Sequence, residues 1–249
     1  MAAFTKSTNP MLRDSVFEKS KNSYGTNIMT INGTTNKVFV LFLILITGAW
    51  ISWFSGSSLF SSTSALIILL IAGVVLAIIT SFNPKAAPVT SPIYALVEGL
   101  LLGIISKMYS SFYNGIVAQA VIISIGIFLL TLFFYKARII KVTNKFRMGI
   151  VIATMGIALT YVADILFSFF GTHIPFITDS GFIGIAFSLF VVIIASLNFL
   201  LDFDYIERVS QHGAPKYMEW YLGFSIIVTF VWLYLEVLRL LSKISGRSR

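Results

Sequence analysis

The sequence predicts an all-α, polytopic membrane protein with seven transmembrane helices. Three observations carry that reading. Of 249 residues, 57% are hydrophobic and only 11% are charged, and the mean hydropathy is +0.90. A soluble domain carries roughly 25% charged residues, and a chain with so few has no means of covering its own surface. The apolar residues come in runs long enough to cross a bilayer, which takes about 20 residues of helix. The basic residues behind the net charge of +8 lie between those runs. That placement suits the cytoplasmic ends of membrane spans better than the single basic face of a nucleic-acid binder.

Residues 1–37 read as a polar, basic cytoplasmic tail without the apolar core of a secretory signal. Span one runs from Val38 to Phe54, with Trp50 and Trp53 at its water–lipid boundary. Span two, Ala65 to Phe82, stops at the helix-ending pair Asn83-Pro84. Span three begins near Ser91-Pro92 and reaches Tyr109. Spans four to six are Gly115 to Tyr135, Met148 to Phe170 and Gly181 to about Leu201. The last apolar stretch, from Tyr217, is long and starts with mixed polarity. It divides into an interfacial turn or short helix over Pro215–Leu222 and a seventh span from Gly223 to about Leu241. The domains expected are therefore the tail 1–37, a transmembrane domain 38–241 and a short basic C-terminal tail 242–249. The connections, Asp202–Ala214 among them, leave no room for an inserted soluble domain.

Orientation follows from charge. A cytoplasmic N-terminus puts Lys37, Lys85, Lys136, Arg138, Lys141, Lys145, Arg147, Arg208 and Lys216 on that side, together with Lys6, Arg13, Lys19 and Lys21. The loops Ser55–Ser64 and Gly171–Ser180 hold no Lys or Arg, as outer loops should. Arg239, Lys243, Arg247 and Arg249 break the pattern: they are external if span seven crosses and internal if it is re-entrant.

Several chemistries fall away. Cysteine is absent, which removes disulfides, zinc–thiolate sites and cysteine nucleophiles. The two histidines, His173 and His212, have no partner at metal-ligand spacing, so a zinc-protease helix is out, and no phosphate- or dinucleotide-binding fingerprint occurs. Gly223-Phe-Ser225 has no histidine base in a companion span, and Asp164 and Asp204 lack a glycine-rich protease context. The expectation is a protein that is not an enzyme and has no cofactor.

Carboxylates inside spans are expensive and tend to be functional, so they define the candidate sites. Glu98 sits in span three, just before Gly99 and Gly103, a pair of small residues on which another helix can approach closely. It reads equally as a cavity wall and as an interhelical hydrogen-bond partner. Asp164, about 24 Å along span five with Tyr161 and Ser168 nearby, is an outer gate or a packing partner. Asp202, Asp204 and Glu207 cluster at the end of span six. Asp202 and Asp204 point to nearly opposite sides of a helix, so one of them faces inward, and Asp204 is the leading choice. Glu219 opens the interfacial segment. Glu236, in Trp232-Leu-Tyr-Leu-Glu236-Val-Leu-Arg239, either pairs locally with Arg239 on the same face or faces a carboxylate on another helix, with Asp204 as the partner.

Taken together these residues resemble the Bax inhibitor / YccA-like (transmembrane Bax inhibitor motif) family, bacterial branch. The resemblance rests on Asn9-Pro10, on Asn83-Pro84 followed by Ser91-Pro92, and on Asn198-Phe-Leu-Leu-Asp202-Phe-Asp204. Gly213-Ala-Pro-Lys-Tyr-Met-Glu219-Trp-Tyr and the Glu236 segment complete it. It implies a last helix central in the bundle, and the cost of exposing Glu236 and Arg239 to lipid supports that placement independently. It further implies a calcium leak in a bacterial cytoplasmic membrane, gated by an acidic pair between the sixth and last helices. Here the matching positions are Asp204 and Glu236, with calcium as the transported ion and no tightly bound metal. Relatives carry an acid in span two. This span two has none, and Glu98 is the candidate to take its place. Family members are also linked to regulation of membrane proteases, so the alternative is a non-transporting protein that binds a membrane protease or another membrane partner. The mechanism expected of the pair is a proton shared by two carboxyls that do not both ionise cheaply in low dielectric, and that part when the proton is lost.

Overall fold

The computed structural model describes residues 28–55 and 63–247. Most of the predicted tail, with Asn9-Pro10 and its first four basic residues, lies outside them, as do most of the Ser55–Ser64 loop and Arg249. Among the described residues, seven helices are long and apolar enough to cross a membrane: α1 (Ile31–Phe54), α2 (Thr63–Phe82), α3 (Ala87–Phe112), α4 (Ile116–Lys136), α5 (Asn144–Ser168), α6 (Phe182–Gln211) and α7 (Met218–Arg247). A 3-10 turn, Pro84–Ala86, joins α2 to α3, and a single turn, Pro175–Thr178, lies between α5 and α6. The fold is the predicted all-α polytopic membrane protein.

Helix boundaries depart from the hydropathy boundaries wherever polar residues extend a helix past the lipid. α1 begins at Ile31 instead of Val38, because Thr30 caps it by accepting the Gly33 N–H at 2.9 Å. The expected connection Asp202–Ala214 is largely helix. α6 runs on through Asp202, Asp204 and Glu207 and ends only where Gly213 takes a φ of 69°, a left-handed conformation that glycine adopts without strain. The division at Leu222/Gly223 is not observed. α7 is one helix of 30 residues, about 45 Å long, and it absorbs the expected interfacial segment from Met218 on and most of the expected C-terminal tail. Gly223 is a contact residue there and not a start: a Cβ on it would lie 3.2 Å from Leu41 of α1.

The described chain forms two compact units. The first takes α1, α2, α3 to Met108, α6 from Asp202 and α7 to Val231. In it α1 and α3 meet backbone to backbone: a Cβ on Gly99 would run into the Leu45 carbonyl, and one on Gly103 into Ser52 and the Ala49 carbonyl. The small residues at 99 and 103 therefore serve the close approach that their spacing predicts. Tyr94 of α3 meets Phe224 edge-on at 4.8 Å, and Phe42 of α1 meets Phe230 at 4.7 Å. Residues ahead of α1 are tied to the loop before α7 by Met29 N–H to Ala214 O at 2.8 Å.

The second unit takes α3 from Tyr109, α4, α5, α6 to Leu201 and α7 from Trp232. Ile157 of α5 packs with Val191 and Ile194 of α6, and Trp232 lies against them. Asn198 of α6 donates to Thr154 of α5 at 2.9 Å. α7 is the most enclosed helix of the seven. Two thirds of its apolar window (67%) is buried, against 11% for α2, whose side chains are turned outward as lipid-facing ones must be.

Candidate functional site

α7 carries a polar stripe. Ser225, Thr229, Trp232, Glu236, Arg239 and Lys243 recur at alternating steps of four and three, which keeps them on one face of a helix. From Ser225 to Lys243 the stripe rises about 27 Å, close to the thickness of the hydrocarbon core. Ser225, Thr229, Glu236 and Lys243 are all buried. The sequence reading picked out Glu236 and Arg239 and missed the other members. The signal was the spacing, hidden by the division of the stretch at Gly223.

In the second unit, Glu236 is 2% exposed. Its Oε1 accepts from the Tyr161 hydroxyl at 2.8 Å and from Arg239 Nη1 at 2.7 Å, and Arg239 Nη1 also donates to the Tyr161 oxygen at 2.6 Å. The guanidinium lies over the Tyr161 ring, 4.8 Å from its centroid. The local Glu–Arg pair is therefore formed, and Tyr161, first considered beside Asp164, completes it from α5. Glu236 Oε2 is buried and has no hydrogen-bond partner among the described residues.

In the first unit, the buried acid of α6 is Asp202. It is 5% exposed, and it accepts from Ser225 at 2.8 Å on one oxygen and from Thr229 at 2.8 Å on the other. Asp204 pairs with Arg208 one turn on, at 3.0 Å. The opposition of the two positions thus resolves in favour of Asp202, because only its side of α6 meets the α7 hydroxyls in this unit. No signal in the α6 sequence chooses between them.

The remaining candidates are tied locally. Glu98 is buried and hydrogen-bonded to Tyr94 one turn back, and its carboxylate abuts Gly73 of α2. A Cβ at Gly73 would come within 2.6 Å of Glu98 Oε1, so the carboxylate of α3 reaches the backbone of α2, which carries no acid of its own. Asp164 accepts the Ile174 N–H at 2.7 Å and lies 3.5 Å from His173 Nδ1, fastening the loop after α5. Glu219, expected at an interface, is buried: it accepts the Thr30 N–H at 3.0 Å and so caps α1 from outside. Among the described residues no three His, Cys, Asp or Glu side chains converge.

No curated protein gives a match. A family model described as Bax inhibitor 1 like matches residues 9–246, nearly the whole chain. With seven spanning helices and that coverage, the chain belongs to the Bax inhibitor 1 like family.

Proposed function

We propose that the protein is a pH-sensitive cation leak path, with calcium as the ion carried, and that the path follows the polar face of α7. The observation that supports this best is the stripe itself. It sets polar and charged side chains on one face of a single helix, with Ser225 and Thr229 buried in the first unit and Glu236 and Lys243 buried in the second. Such groups are costly to keep in a membrane without a use. The gate is assigned to carboxyls of α6 and α7, as the resemblance implies. Asp204 and Glu236 are the pair first expected. Asp202 is the better α6 member, since it meets α7 hydroxyls while Asp204 is engaged by Arg208. Below its titration range a carboxyl is neutral and donates a hydrogen bond. As pH rises it becomes a charged oxygen ligand of the kind a hard cation prefers. Leak should therefore increase with pH. The basic loop from Lys136 to Arg147 supports a cytoplasmic N-terminus, and the resemblance supports a bacterial cytoplasmic membrane.

A second reading is a non-transporting partner of a membrane protease or another membrane protein. It is favoured by the local partners that Glu98, Asp164, Asp202, Asp204 and Glu219 already have, which leave them nothing to give an ion. Calcium flux into liposomes holding only the purified protein separates the two. The leak reading expects flux that rises from pH 6 to pH 8 in the parent and loses this dependence in Asp202→Asn or Glu236→Gln. Absence of flux at both values, with the protein folded and inserted, refutes the leak and leaves the interaction reading.

A further inference from the structure

Lys243 has an unexpected neighbourhood for a lysine one turn from the end of a spanning helix. Such a side chain ordinarily extends along its helix to bring the ammonium to water, and Ile244 beside it is exposed. Lys243 is instead 4% exposed, and its Nζ donates to the Gly184 carbonyl at 3.0 Å and the Phe176 carbonyl at 3.4 Å. Both acceptors are neutral backbone oxygens. We propose that the Phe176 and Gly184 carbonyls form a site for a small monovalent cation, which the chain keeps filled with its own ammonium.

The site is built from fixed backbone. Pro175–Thr178 is a helical turn closed by Asp179 N–H to Pro175 O at 2.7 Å, and the residue before it is held by Asp164. Gly184, in the first turn of α6, is what lets this segment lie directly on the helix. A Cβ there would run into the Asp179 carbonyl and come within 3.4 Å of Phe176 O. The ligand chemistry sets the ion class. Carbonyl dipoles replace the hydration shell of monovalent ions, whereas calcium takes roughly six to eight oxygens with carboxylates among them. Here the two acids that act on the ammonium, Asp179 and Glu236, do so without a hydrogen bond to it. An ammonium group and a potassium ion make the same demand on such oxygens. If the stripe is an ion path, which rests on the reading above, Lys243 seals its C-terminal end. The site itself does not depend on that reading, and its test measures no transport.

The test is the thermal unfolding of the purified full chain and of Lys243→Ala in detergent, with chloride salts of equal ionic strength. In choline chloride the alanine variant should melt roughly 5 °C or more below the parent, the scale expected for losing two charge-assisted hydrogen bonds. Ammonium, methylammonium or potassium should restore at least half of the loss, and tetramethylammonium, too large for the vacated space, should restore none. Lys243→Met, whose side chain fills that space, should show no rescue, and the parent should not respond. Identical melting of Lys243→Ala in every salt, or an equal response by the parent, overturns the proposal. Should the alanine variant not fold, the parent alone decides the matter by reductive methylation read by peptide mass. Lys243 should react about tenfold more slowly than the exposed Lys216, since it must first be freed by local opening. Equal rates overturn the buried-ammonium site.

Discussion

Tyr161→Phe removes a single oxygen, but that oxygen makes two of the three hydrogen bonds in the Glu236 cluster. The hydroxyl donates to Glu236 Oε1 at 2.8 Å and accepts from Arg239 Nη1 at 2.6 Å. Each is a bond to a charged group, worth about 1.5–3 kcal/mol. The Arg239 share must be discounted, because its side chain is 34% exposed against 2% for Glu236, and a partly exposed charge recovers solvation. The direct Glu236–Arg239 contact survives the substitution. A net loss of about 2–3 kcal/mol follows, or roughly 4–12 °C in melting temperature for a chain of this size. Glu236→Gln keeps an oxygen acceptor for Tyr161 but takes away the charge that strengthens their bond, so it weakens the bond without removing it and should cost less. Because the two substitutions act on one shared bond, the double variant should lose less than the sum, with a coupling of about 1–2 kcal/mol. Thermal unfolding of the four proteins in one detergent, followed by tryptophan fluorescence, measures it. Additivity within about 0.5 kcal/mol would show that Tyr161 and Glu236 do not share the bond and would refute the cluster.

Gly99→Ala drives a methyl group into the Leu45 carbonyl and should cost about 1–3 kcal/mol by prising α1 from α3. Gly126→Ala, where a Cβ meets nothing within 4 Å, should instead gain about 0.5–1 kcal/mol of helix stability. Unfolding of the pair checks both signs. Asp202→Ala removes the acceptor of two buried hydroxyls and should cost about 2–3 kcal/mol, while Asp202→Asn, which keeps an acceptor for Ser225, should stay within about 1 kcal/mol of the parent. Equal losses in these two would contradict the Ser225–Asp202–Thr229 geometry. The chain has no cysteine, so single cysteines report cleanly on water access. One at Leu70, exposed on α2 yet facing lipid, should resist a water-soluble maleimide, and one at Lys141 should react. Labelling at Leu70 would overturn the membrane assignment of α2.

Hydropathy alone determined the seven spans, because the cost of bringing backbone and charge into hydrocarbon leaves runs such as Ala65 to Phe82 no other structure. Spacing alone determined that Gly99 and Gly103 would admit a neighbouring helix, that Glu236 and Arg239 would share a face, and that Asp202 and Asp204 would not. These are properties of one helix taken by itself. What one helix does not contain is the rotation at which it meets the next. Asp202 faces the hydroxyls of α7 because of how α6 is turned in its unit, and Glu219 is buried because Thr30, 189 positions away in the chain, brings it an unsatisfied N–H. Helix ends were equally out of reach, since α6 and α7 continue past the lipid on polar residues that hydropathy counts as loop. Lys243 shows the limit most plainly. Its sequence neighbours describe a basic helix end, and only packing against α6 and the turn before it turned the ammonium inward, onto carbonyls that every residue carries and no sequence distinguishes.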